Sequence, residues 1–189
     1  MRSILAMAHL TLYETRRRRI VMAAVIFATA FLTVYTAGLF FVHREHVRVS
    51  TPFVQQQLVM ALLSVAGLYA VNFLSILFAV LLPVDTLSGE IDSGVMHTVA
   101  SKPVRRADIV LGKWLGHAVI VIGYVLTLTL GVVLVMRLVA GPVAVRPLQA
   151  LPLMVLEALL LMTVSIAGGT RLSTVTNGVT ALGFYGIAF

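Results

Sequence analysis

A polar stretch between two apolar runs concentrates the groups in this sequence that could do chemistry. Residues 85–113 read DTLSGEIDSGVMHTVASKPVRRADIVLGK, and nine of their side chains are charged or titratable. These are Asp85, Glu90, Asp92, His97, Lys102, Arg105, Arg106, Asp108 and Lys113. Such a set is open to three interpretations: nucleotide binding, catalysis, or docking onto another protein.

The spacing around Gly112-Lys113 argues against nucleotide binding. The pair resembles the end of a phosphate-binding loop, which requires Gly five residues before the Gly-Lys pair and Ser or Thr directly after it. Those two positions hold Ala107 and Trp114. We therefore expect no ATP site and no cofactor in this chain.

Catalysis has little support in the same stretch. On a helix Glu90 and Asp92 point away from each other, so they are not a carboxylate pair, although Glu90 and His97 share a face. The stretch has no histidine pair with zinc-ligand spacing and no Ser-His-acid pattern. His43 and His46 are two lone histidines in a polar segment, which is typical of a solvated loop. We expect no catalytic residue and no metal site, and thus not an enzyme.

Docking fits the pattern better. Leu87, Ile91 and Val95 recur every four residues, so on a short helix they form one apolar stripe beside Glu90. Gly89 and Gly94 weaken the helix but permit close approach of a partner's backbone. A short helix held between two membrane spans is a suitable lever for the motion of a partner.

The composition identifies the elements that must hold this stretch. Sixty per cent of the residues are apolar, 11% are charged, and the mean hydropathy is +1.03, whereas a soluble domain has about 25% charged residues. The sequence predicts an all-α polytopic membrane bundle that forms a single transmembrane domain over residues 1–189. The net charge of +7 fits basic helix ends that face anionic lipid, so we expect a lipid bilayer as partner and no nucleic acid.

The apolar runs set the expected order of helices. We predict an interfacial helix over residues 2–16, whose apolar face is formed by Ile4, Leu5, Ala8 and Leu12. The predicted spans are about 20–42, 58–83, 114–136, 153–169 and 172–189.

The ends of these runs lead to three further expectations. Residues 43–57 read as a polar hairpin between the first two spans, and Pro83 is expected to end or bend the second span. The last run lacks a polar flank after Phe189. We therefore expect a longer parent protein with a sixth span.

The basic residues predict the orientation. Ten lie on the side of the N-terminus and of residues 85–113, and four lie on the opposite side. The positive-inside rule places the ten in the cytoplasm. We expect a multi-pass protein of the plasma (inner) membrane with a cytoplasmic N-terminus.

Two polar residues fall within the predicted spans. Glu157 lies in the fourth span, a few residues from its expected outer end, and an acid within a span is a candidate functional site. The alternative is that Glu157 reaches water at the outer surface. Asn72 lies near the middle of the second span, where such groups either hydrogen-bond between helices or contact a substrate.

The polar stretch resembles the signature of the permeases of type-2 ABC transporters. The matching pieces are Ser88-Gly89-Glu90, Gly94-Val95-Met96-His97-Thr98, Lys102-Pro103-Val104-Arg105-Arg106 and Gly112-Lys113. The resemblance implies a coupling helix that sits on a separate ATP-binding subunit. It makes Glu90 the acidic contact, with Arg105 and Arg106 supporting the loop.

This resemblance implies the membrane subunit of an ABC exporter, paired with a second permease copy or a paralogue and with ATP bound by the partner subunit. The expected coupling residues are Leu87, Glu90, Ile91, Gly94, Val95, Arg105 and Arg106. Two rival interpretations stay open: an ABC-type subunit that serves maturation of an extracytoplasmic protein or cofactor, and a membrane scaffold without a transport path.

Overall fold

The chain folds into a bundle of long helices. The structure, a computed structural model, describes residues 2–16, 19–49, 52–92, 106–139, 141, 147–169, 172 and 174–188. Nearly all residues in these ranges are helical, which confirms the prediction of an all-α bundle. The helices are α1 (Arg2–Arg16), α2 (Arg19–Val49), α3 (Phe53–Asp92), α4 (Arg106–Val139), α5 (Pro147–Gly168) and α6 (Thr174–Ala188).

Within the described ranges, four helices are long and apolar enough to cross a membrane. The spanning segments are Arg19–Glu45, Val54–Val84, Ala107–Val139 and Leu148–Gly168. They correspond to the first four predicted spans. Helix α6 lies where the fifth was expected, but its fifteen described residues are fewer than the roughly 20 that a full crossing requires.

Helices α3 and α4 form the centre of the bundle. Helix α4 packs against α1, α2, α3 and α5, while α3 also contacts α2, α5 and α6. Their shared interior is apolar, with Val71, Val125, Leu128 and Met162 fully buried. An α-helix satisfies its backbone hydrogen bonds internally, and an apolar surface needs no contact with water. These segments therefore fit a lipid environment.

Helix α3 is longer than predicted because it continues through Pro83. Proline removes one backbone donor and leaves a carbonyl about one turn earlier without its usual partner. Beside this point the Ser165 hydroxyl of α5 donates a hydrogen bond to the Val80 carbonyl, 2.9 Å away. Val84 is also buried in a small cluster with Ala181 of α6. Helix α3 thus continues past Pro83 as far as Asp92, and contacts from α5 and α6 flank the proline.

The predicted hairpin over residues 43–57 is mostly helical. Helix α2 extends to Val49 and α3 begins at Phe53, so the polar residues after Val42 belong to the last turns of α2. Sequence polarity marked where the apolar span ends, not where the helix ends.

Helix α1 lies against α4 and not apart from the bundle. Its packed face contains Ala8, Thr11 and Thr15, which are buried, whereas Leu5 of the predicted apolar face is 66% exposed. Small side chains form this face because the backbones approach closely. A Cβ atom added to Gly116 of α4 would lie only 2.8 Å from the Cβ of Thr11.

Candidate functional site

The structure places part of the predicted coupling residues on the last turns of α3. Leu87, Glu90 and Ile91 belong to this helix, and Arg106 opens α4. Gly94, Val95 and Arg105 lie outside the described residues. The helix predicted around Glu90 is therefore a continuation of the second span itself. At 1.5 Å per residue, the eight residues after Val84 extend α3 by about 12 Å.

The two polar residues predicted inside the spans are hydrogen-bonded to each other. The Asn72 side-chain Nδ2 of α3 donates to Glu157 Oε2 of α5 over 2.9 Å. The two positions are 85 residues apart in the sequence, so only the packing of α3 on α5 brings them together. The pair is an interhelical contact; its role on a substrate path stays a prediction.

Glu157 lies at the middle of its helix and not near an outer end as expected. The reason is that α5 begins at Pro147 and includes Pro152, whereas the sequence placed the start of the span after Pro152. Pro147 is well suited to the first turn of the helix, where the missing backbone donor of proline is not needed. About 15 Å of helix lies on either side of Glu157, which places the carboxyl group deep within the span.

A carboxylate at this depth requires compensation. An acidic side chain at the centre of a membrane helix costs about 2.5–3.5 kcal/mol relative to water on insertion scales, and a charge-assisted hydrogen bond offsets part of that cost. Asn72 supplies such a bond. Two phenols are also near, since Tyr185 of α6 interacts electrostatically with both Glu157 and Tyr69.

The hydrogen bonding of Asn72 is incomplete. Its Oδ1 atom is buried and has no hydrogen-bond partner. A buried acceptor without a donor is unfavourable by about 1–3 kcal/mol. The cluster formed by Tyr69, Asn72, Glu157 and Tyr185, which we call the midspan cluster, therefore offers acceptor atoms.

A second polar network, which the sequence patterns did not predict, joins the same three helices nearer the α5–α6 turn. Asn177 of α6 is 2% exposed, and its Nδ2 atom donates to the Ser165 carbonyl over 2.7 Å. Ser165 in turn bonds to Val80 of α3. Gly168 and Gly169 pack against the Asn177 side chain. The closely spaced Gly168-Gly169 and Asn177-Gly178 pairs were the available signal in the sequence.

Helix α4 is fixed to α5 by one further polar contact. The Trp114 indole donates to the Thr163 hydroxyl over 2.9 Å. Trp114 lies eight residues after the start of α4 at Arg106. The contact therefore ties the beginning of α4, which directly follows the predicted coupling segment, to the helix that carries Glu157.

Comparison with known proteins agrees with this architecture. A family model described as ABC-2 family transporter protein matches residues 5–189, which is nearly the whole chain. A search of curated proteins found no match. The chain is therefore a member of the ABC-2 transporter family, and it is a multi-pass membrane protein with the helical bundle of a transporter's membrane component.

Proposed function

We propose that this chain is the membrane-spanning subunit of an ATP-driven exporter. A separate subunit binds and hydrolyses ATP, and a second copy of the chain or a paralogue completes the substrate path. The N-terminus and the segment between α3 and α4 face the cytoplasm of a cell bounded by the plasma (inner) membrane. Membership of the ABC-2 transporter family supports this proposal.

The observation that carries the proposal is the continuity of α3. One helix runs from Phe53 through the centre of the bundle to Asp92, so a force on Glu90 acts directly on the helix that also carries Asn72. A helix transmits displacement along its axis because backbone hydrogen bonds join its successive turns, and in α3 Pro83 removes one of these bonds. The ATP-binding subunit docks at the end of α3 and moves the membrane bundle through it.

Glu90 is the residue whose change tests the coupling. In the docked complex its carboxylate makes a charge-assisted contact with the ATP-binding subunit, and Leu87 and Ile91 add apolar burial. Removing one partner of such a contact costs about 2–5 kcal/mol, because the other charge is left buried and unpaired. Glu90→Lys is expected to reverse the contact and weaken association with the ATP-binding subunit by at least about thirtyfold.

The measurement combines pull-down of the ATP-binding subunit with ATP hydrolysis by the complex in reconstituted vesicles. Glu45→Lys is the matched control, since it makes the same change of charge near the far end of α2. We expect Glu90→Lys to reach normal membrane levels while losing both association and hydrolysis, and Glu45→Lys to retain them. The coupling assignment is wrong if Glu90→Lys retains both at the unmodified level.

A further inference from the structure

The midspan cluster has the composition of a binding site. Asn72 from α3 is hydrogen-bonded to Glu157 from α5, and Tyr185 from α6 interacts electrostatically with Glu157 and with Tyr69 of α3. We propose that this cluster recognises a cationic amphiphile, an organic molecule with a primary ammonium group and an apolar tail. The inference deepens the proposed function and rests on it for the statement that such a molecule is exported.

The free hydrogen-bonding atoms of the midspan cluster are acceptors, so a ligand that binds there must supply donors. Asn72 uses its amide N–H toward Glu157, and its buried Oδ1 acceptor has no partner. The second oxygen of Glu157 is a further acceptor. A primary ammonium group carries three N–H donors and no acceptor. It therefore complements Asn72 Oδ1 and Glu157 together, which a hydroxyl or a carboxylate ligand does not.

The charge at the cluster calls for a cation. Over the described part of the chain, no Lys, Arg or His forms an ion pair with Glu157. A single carboxylate in a span is satisfied best by an opposite charge, and among the described residues the hydrogen-bond partner of Glu157 is the neutral Asn72. A ligand that carries positive charge supplies what the described helices lack.

The apolar surface around the cluster calls for an organic ligand. Tyr69 and Phe73 lie one turn apart on α3 and are 60% and 55% exposed, so both rings are accessible from outside the chain. Leu153 and Leu160, also exposed, flank Glu157 on α5. Aromatic faces attract cations and pack against apolar tails. A bare divalent ion is a poor fit, because hard cations require about six oxygen ligands and the cluster offers a single carboxylate.

Binding of labelled octylammonium tests the proposal directly. The full-length chain, with its ATP-binding subunit, is placed in lipid nanodiscs, and saturable binding is measured above the lipid background. Octylammonium is expected to bind saturably to the unaltered protein. Unlabelled octyltrimethylammonium, which is charged but has no N–H donor, should compete less well than octylammonium. Octanol and octanoate should not compete.

Glu157→Gln preserves an acceptor for Asn72 and removes the charge, so it should weaken octylammonium binding at least about tenfold. Glu157→Asp should retain measurable binding, and Glu45→Gln should bind as the unaltered protein does. Equal binding by Glu157→Gln overturns the proposal.

The competition series decides the question on the unaltered chain should Glu157→Gln fail to accumulate, since equal competition by octanol or octanoate overturns the proposal by itself. Co-purification of the ATP-binding subunit is scored separately. Its absence would refute the exporter assignment and leave the binding result intact.

Discussion

Asn177 illustrates how single side chains join α3, α5 and α6. It is nearly fully buried, and its amide donates to Ser165, whose hydroxyl reaches Val80. The Asn177 side chain lies directly against the Cα of Gly168. A Cβ atom at position 168 would overlap Asn177 Oδ1 and lie 3.1 Å from its Cγ.

This contact makes Gly168 a steric requirement. Gly168→Ala is expected to lower the free energy of unfolding by about 1–3 kcal/mol, the usual cost of overpacking, as measured by thermal unfolding in detergent. Gly183→Ala on α6 is the matched control, because a Cβ there meets nothing within 4 Å. The control should be neutral or stabilising by up to about 1 kcal/mol, since alanine favours helix.

Combining Gly168→Ala with Asn177→Ala tests whether the loss of stability in Gly168→Ala comes from steric overlap with Asn177. Removing the Asn177 amide removes the overlapping atoms, so the double variant should lose less stability than the sum of the two single variants. Strict additivity, or equal stability of the Gly168 and Gly183 variants, would contradict the packing described here.

At the scale of elements, α1 is fastened to α4 by close backbone approach. Gly116 lies opposite Thr11 and the Ala8 carbonyl, with distances of 2.8–3.0 Å from a would-be Cβ to these groups. Small residues at facing positions allow such approach between membrane helices. The interfacial helix predicted from the sequence therefore packs at a defined position on α4, the helix that follows the predicted coupling segment.

Gly116→Val is expected to displace α1 from α4, because the Cβ atom alone would already lie within 3.0 Å of the Thr11 side chain and of the Ala8 carbonyl oxygen. Spin labels at the exposed residues Leu10 on α1 and Leu111 on α4 should report a longer and broader distance distribution. Gly123→Val on the same helix is the control, as a Cβ at position 123 meets nothing within 4 Å. An unchanged distance distribution in Gly116→Val would show that α1 and α4 do not pack closely at Gly116.

At the scale of the whole molecule, the orientation proposed from the charges has a direct test. Ten basic residues lie on one side of the predicted topology and four on the other. Ser50 lies between α2 and α3, and Ser101 lies between α3 and α4, so α3 separates them by one crossing. Single cysteines at Ser50 and Ser101 should label differently in intact cells, with Ser50 reactive from outside and Ser101 only after permeabilisation. Labelling of Ser101 from outside would reverse the orientation.

The sequence by itself determined the fold class, the first four long apolar helices and the family, whereas the fifth predicted span corresponds to the fifteen described residues of α6. Helices that span lipid must be apolar over a length set by the bilayer. Such stretches can be identified from local composition alone. The signature pieces between Ser88 and Lys113 indicated the ABC-2 family, to which residues 5–189 are matched. Polarity was a poorer guide to helix ends, because α2 and α3 extend beyond their apolar cores into polar residues.

Only the tertiary structure decided which polar groups meet. Asn72 and Glu157 are 85 residues apart in the chain, and no local pattern links them. Near Pro83, the Ser165 hydroxyl of α5 bonds to the Val80 carbonyl of α3, which is also 85 residues away in the chain. Pairing of distant side chains depends on how ridges and small residues fit between helices. Local composition therefore specifies each helix, and packing between helices creates the midspan cluster.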